Sequence, residues 1–310
     1  MPVNAVMTQS RWTIAAMEAR VVRYVDLKPC YNAFIDTRSP GSEAKENFTI
    51  IGPGVSENPE QHVHIAEAHG FNIGGARQPP LCVNSQHSHD TAEVFVVHTG
   101  TWRFDLGENG DDARVVIGPG DVISLPTKMF RGFTNIGDDV GYLFAVLGGD
   151  NPGKVLWAPK VFDMAADYGL VLLENGQLID TVAGQSVPAD VRTMPRTSVE
   201  QAAALTRANA TDAERLVVRA RAGSGITPMI GERAPLDWPH PFTLDRIDLD
   251  AAASDTRVPV APEVVFVQSG CLTVAWDDGV LTLGVGDTMT LPVGVERRLA
   301  GPAVVYRVSG

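Results

Sequence analysis

The chain has 310 residues, enough for two domains each with its own core, and its 44% hydrophobic and 20% charged residues are the balance of an ordinary globular protein. Its formal net charge is −12 and no run of Lys or Arg occurs, which speaks against a nucleic-acid partner because such a partner needs a basic face. No stretch approaches the roughly 18–20 apolar residues of a membrane span, and three scattered cysteines, Cys30, Cys82 and Cys271, fit a reducing, cytoplasmic setting better than a disulfide framework.

In chain order, the first twenty residues lack the basic start, apolar centre and small-residue cleavage site of a secretory signal. Residues 10–22 suit either helix or strand. The stretch 36–60, with its Pro, Gly, Ser and Glu, reads as irregular chain, so residues 1–65 are expected to form an N-terminal extension packed on the β-rich remainder of the chain. From 66 to 150 short runs such as VFVVHTGTWRF, ARVVIGPGDVISLP and GYLFAVLG alternate with Gly, Pro, Asp or Asn, the rhythm of antiparallel sandwiches and barrels. Residues 151–212 read as a linker. Within it helices are predicted near 159–166 and near 199–208, the latter opened by a Ser198/Gln201 capping box, and Asn175-Gly176 reads as a hairpin turn.

Residues 213–310 repeat the β-unit. Glu93 and Gly100 in AEVFVVHTGTWRF match Glu263 and Gly270 in PEVVFVQSGCLTV, and Gly120, Asp121, Pro126 and Arg131 match Gly286, Asp287, Pro292 and Arg297 without a gap. The glycines suit turns that need a permissive backbone angle.

Chemistry concentrates in Gln86-His87-Ser88-His89-Asp90-Thr91-Ala92-Glu93. Residues two apart on a strand share a face, so His87 and His89 point the same way, and Glu93 rejoins them after a short break. Two imidazoles and a carboxylate are a donor set for Fe(II), and also for Mn, Zn, Ni or Co. Burying these groups together is costly without a cation.

HSHDTAEVFVVHTG resembles the first cupin motif, and GPGDVISLPTKMFRGFTN resembles the second. The resemblance is strong over 81–148 and weaker over 258–308. It implies an all-β protein of two tandem antiparallel cupin (jelly-roll) barrels with few short helices and a metal in the barrel mouth. The second motif usually adds a third His, but Arg131 stands there, with Lys128 in place of the usual Gly. One divalent ion per chain is therefore expected on His87, His89 and Glu93, with Fe(II) favoured and positions left open. The second copy has Arg257, Pro259 and Arg297 at the His positions, so that barrel is expected to be metal-free.

Two readings of Arg131 stand open: a catalytic group that pairs with an anionic substrate, or a salt bridge to an acid such as Asp90 or Glu93. Gln78 and Asn84 are expected to contact substrate, with Phe95, Trp102, Phe130 and Phe133 as apolar walls. His62 and His64 read as polar residues of the extension, His98 as pointing away from the mouth by strand parity, and His240 as part of a loop. The resemblance implies a metal-dependent enzyme, with a dioxygenase acting on a small enol, catechol or hydroxyketone first. A redox-neutral isomerase or lyase, or a non-catalytic binding protein, is the alternative, and a homodimer is expected.

Overall fold

The computed structural model describes residues 12–232, 234–236 and 238–310; expectations for residues 1–11 lie outside them. The described chain is mostly antiparallel strand. Residues 46–148, with Leu156–Trp157 and Val217–Val218 added, form a seven-stranded sheet facing a five-stranded one, and residues 225–309, with Val21–Val22 added, form a six-stranded sheet facing a four-stranded one. This is the expected all-β architecture of two jelly-roll units, each a sandwich of two sheets. No helix among the described residues is long and apolar enough to cross a membrane.

In the first unit, Glu93–Thr99 lies between Val122–Leu125 and Gly141–Gly148, and Gly141–Gly148 pairs in turn with Phe71–Gln78. The facing sheet sets Val83–Ser88 beside Arg131–Asn135, which pairs with Trp102–Leu106. Phe95, Val97, Trp102, Phe104, Phe133 and Leu143 fill the space between the sheets. The repeat glycines serve their turns: Gly100 has φ +86°, and a Cβ there would come within 2.8 Å of the Gly141 Cα.

The stretch read as irregular contains a strand, Glu46–Ile51, paired antiparallel with Phe71–Gln78 and parallel with Val63–Ile65. Its alternate polar residues Asn47 and Thr49 are buried, so the strand lacks the apolar run that would have marked it. The ambiguous segment holds both structures: a helix, Ile14–Glu18, capped by Thr13, and a short strand, Val21–Val22. The linker helices form at Pro159–Asp167 and at Val199–Ala203 with its Ser198 capping box, and Gly176 closes the hairpin between Leu170–Leu172 and Leu178–Asp180.

A second layer of the repeat becomes visible in the pairing. Val21–Val22 joins the second barrel against Thr288 and Met289, while Val217–Val218 joins the first against Val122 and Ile123. Each is preceded by a short helix, Ile14–Glu18 or Ala210–Arg215, and followed by an arginine on the repeat aspartate: Arg23 on Asp287 (2.9 Å) and Arg219 on Asp121 (3.1 Å). The two arms are thus exchanged, each joining the barrel other than the one that follows it in sequence. Between the barrels, Phe144 stacks on Phe266 at 4.4 Å, and His98 packs edge-on to Phe266 and Tyr142. His98 points away from the first barrel's interior, as its strand parity predicts.

Candidate metal centre

His87 lies near the end of strand Val83–Ser88, His89 just beyond it, and Glu93 at the start of the next strand. One donor atom from each comes within 4.8 Å of the others, and all three residues are buried. A register shift between the pairs Arg131–His87 and Phe133–Asn84 marks a β-bulge. Through it Asn84 and His87, three residues apart, line the same cavity.

The His87 Nδ1–H donates to the Ser85 carbonyl at 2.7 Å, which leaves Nε2 with its lone pair free for a metal. Burial pushes the His87 imidazole down to about 3, and the nearby Arg131 charge adds to the effect. His89 is held well below its ordinary value by burial, then by Arg131 and His87. Both rings are therefore neutral near pH 7, the form that binds metal. The buried His89 Nδ1 has no hydrogen-bond partner. Glu93 divides its oxygens: Oε1 faces His89 Nε2 at 3.6 Å, while Oε2 accepts from Arg131 Nε (3.1 Å) and Nη2 (2.5 Å). Neutral imidazoles, an unpartnered ring nitrogen and a carboxylate oxygen turned towards them fit a divalent ion.

Arg131 turns its guanidinium to Glu93. Its remaining contacts are to the carbonyls of Met129 (3.2 Å) and His87 (3.5 Å), it is fully buried, and it does not line the cavity. Of its two readings, the geometry matches the salt bridge, with Glu93 as partner. Gln78 is buried in strand Phe71–Gln78 and is likewise absent from the cavity lining, whereas Asn84 lines it with a buried, unpartnered Oδ1. Of the expected apolar walls, Phe95 and Phe133 line the cavity; Trp102 and Phe130 pack in the core instead.

That cavity holds about 680 Å³ including its mouth. Much of its wall comes from the N-terminal segment, through Phe34, Phe48, Thr49 and Gln61, which sequence reasoning missed. The alternation of Asn47 and Thr49 with apolar neighbours was the available signal. The same segment braces His87 from behind. Ser85 N–H, next to the carbonyl that orients His87, donates to Asp36 Oδ2 at 2.9 Å, and Asp36 forms a fully buried ion pair with Lys45. Burial pushes the Asp36 carboxyl up, but Lys45 and Ser85 outweigh it and hold it below its ordinary range. Trp157, paired with His87 across the sheet, donates to buried Glu57 at 2.6 Å. Burial raises the Glu57 carboxyl to about 8 despite that bond.

Lys128 has φ +60°, a left-handed conformation in the place where the resembled motif carries Gly, and its N–H donates to the His89 carbonyl at 3.0 Å. His62 and His64 stack edge-on in the extension. His64 bonds to Thr49 O and Lys28 N, and no group of three donors forms around them among the described residues. His240 lies in a loop, 2.6 Å from Ser124 Oγ.

Comparison with known proteins agrees with this architecture. The family model described as Cupin domain matches residues 74–147. Germin-like protein subfamily 1 member 10 of Arabidopsis thaliana is 35% identical over 83 residues, a match that spans 26% of this chain and 37% of that protein's length. Among solved structures, oxalate decarboxylase of Lactobacillus farciminis aligns over 93% of this chain and 85% of its own at 10% identity, TM-score 0.55. A mutant of Bacillus subtilis oxalate decarboxylase aligns over 94% and 76% at 11% identity, TM-score 0.54, and protein Ylba of E. coli over 93% and 88% at 10% identity, TM-score 0.52. At such identities these likenesses speak for the fold alone. The chain thus carries a match to the Cupin domain over residues 74–147, and its two-unit fold is similar to that of the oxalate decarboxylases.

Proposed function

We propose that this protein is a metal-dependent enzyme, an Fe(II) dioxygenase acting on a small enol, catechol or hydroxyketone held at His87, His89 and Glu93. The observation that carries the reading is the donor set itself. Two neutral imidazoles and one carboxylate oxygen converge within 4.8 Å beside a largely apolar cavity, and the place of a further ligand is taken by Arg131, which cannot ligate. A divalent ion on three protein donors supplies Lewis acidity and, as Fe(II), electrons for dioxygen chemistry, with positions left for substrate oxygens. The chain's own residues do the rest. Ser85 fixes the His87 tautomer, Arg131 turns one Glu93 oxygen towards the site, and Phe95, Phe133 and Trp157 keep bulk water from the reacting end.

A redox-neutral lyase or isomerase is the second reading, and the activity named for two fold relatives, oxalate decarboxylation, is of that class. Elemental analysis of protein purified without added metal, followed by oxygen-electrode assays on an enol, a catechol and a hydroxyketone, separates the two. Iron near one per chain with oxygen uptake supports the dioxygenase. Zinc without oxygen uptake moves the assignment to the second reading. Metal and ligand binding without any turnover would make the protein a binding module. A homodimer, proposed from the family resemblance, is checked separately by sedimentation.

A further inference from the structure

We infer that the substrate is a small monoanion that chelates through two adjacent oxygens at one end and carries an uncharged, apolar body. This deepens the metal-site reading above and rests on it. Imidazoles bind a metal in the neutral form, and Glu93 is paired with Arg131, so His87, His89, Glu93 and Arg131 together carry no net charge in a loaded site. A divalent ion there keeps its positive charge in a buried place, which an anion bound at that point offsets.

Away from that point the cavity has nothing for a second charge. No Lys or Arg lines it, and Glu93 is its one ionisable group besides the two histidines. Its polar wall residues are largely occupied: Thr49 Oγ1 bonds to Gln61, Gln61 Nε2 to Pro53 O (2.7 Å), and Asn72 to both Gly54 N (2.9 Å) and Gly149 O (2.6 Å). Asn84 lines it with an unpartnered acceptor, Oδ1, which suits a hydroxyl. The rest of the wall includes Phe48, Phe95, Phe133, Leu147 and Val155. A second carboxylate would lie there without a cation, a costly burial. An enolate or an α-keto acid with an alkyl body is therefore a good match for this cavity, and a longer dicarboxylate with a distal charge is a poor one.

The test compares two probes with the same chelating end, α-ketovalerate and α-ketoglutarate, which differ in a terminal methyl against a carboxylate. Each is titrated calorimetrically into the full chain loaded with Mn(II), with metal content measured before and after. The expected result is α-ketovalerate binding at least about tenfold more tightly. Val155→Lys, which puts a cation into the wall, should narrow or reverse that preference with metal content unchanged; Phe34→Lys serves if the first variant fails to fold. α-Ketoglutarate binding as well or better, or neither probe binding to metal-loaded protein, overturns the substrate class and leaves the metal site standing. Protein that takes up no metal overturns the metal-site reading, and this inference with it.

Discussion

The two barrels put the same pair of residues in the same place and surround it differently. In the first, Glu93 shares one oxygen with Arg131 and turns the other towards His87 and His89. In the second, Glu263 meets Arg297 at 2.7 Å and Arg257, which replaces His87, at 3.0 Å. Arg297 and Arg307 also share Asp255, and Arg307 reaches Asp245 at 2.6 Å. The carboxylate–arginine pair is therefore part of the common architecture. What separates the barrels is whether the carboxylate's other oxygen faces neutral imidazoles or a further guanidinium. One arrangement suits a removable cation, and the other has permanent cations built into the chain.

If that contrast is right, the largest effect belongs to the second barrel. Glu263→Gln leaves buried guanidinium groups short of their partner and should cost about 3–5 kcal/mol in denaturant unfolding, while metal content stays the same. A loss of metal in this variant would mean that the barrels are not independent in this respect. Next, His87→Ala should weaken metal binding by about two orders of magnitude or more, read by titration and elemental analysis. Metal kept at full occupancy would show that the ligands lie elsewhere.

The third test is pH dependence. In the unfolded chain His87 protonates near its ordinary value of 6.5, but in the folded state it stays neutral down to about 3. Protons therefore bind the unfolded state preferentially. The stability contribution is complete above 6.5 and is lost progressively as pH falls towards about 3. Metal-free protein should melt lower at pH 5 than at pH 7, and His87→Ala should flatten the slope. A slope equal to that of the wild type would remove His87 from the account.

Smaller effects sharpen the picture around the ligands. Asp36→Asn combined with Lys45→Met keeps an acceptor for Ser85 but removes the buried ion pair, and should weaken metal binding roughly tenfold. Unchanged affinity would reduce that pair to a structural role. Lys128→Gly relieves a left-handed lysine where the second copy already has Gly294 at φ +80°, and should stabilise the chain by roughly 0.5–1 kcal/mol. A loss of stability would show that the lysine side chain contributes more than its backbone strain costs.

Much of this was legible beforehand, for local reasons. His87, His89 and Glu93 stand close in sequence, and strand periodicity alone brings two of them to one face. The repeat set out two units because its glycines and aspartates fall at turns whose geometry is local; Gly100 and Gly270 have φ +86° and +81°. Arg131 was harder. A guanidinium beside a metal site reads equally as a substrate anchor or a structural partner, and only the position of Glu93 Oε2 distinguishes them. Gln78 shows the limit of composition, since a polar residue near the ligands in sequence need not line the cavity.

By itself, then, the amino-acid sequence determined the all-β character, the duplication, the donor set and the loss of that set from the second copy, because each depends on residue type and short spacing. The tertiary structure decided what depends on distant segments meeting. It built the cavity wall from residues 34–61, set the Asp36–Lys45 pair behind His87, exchanged the Val21–Val22 and Val217–Val218 arms between barrels and bound Arg131 to Glu93. Most of those contacts join residues tens to hundreds of positions apart, and no periodicity along the chain records which buried charge will find which partner.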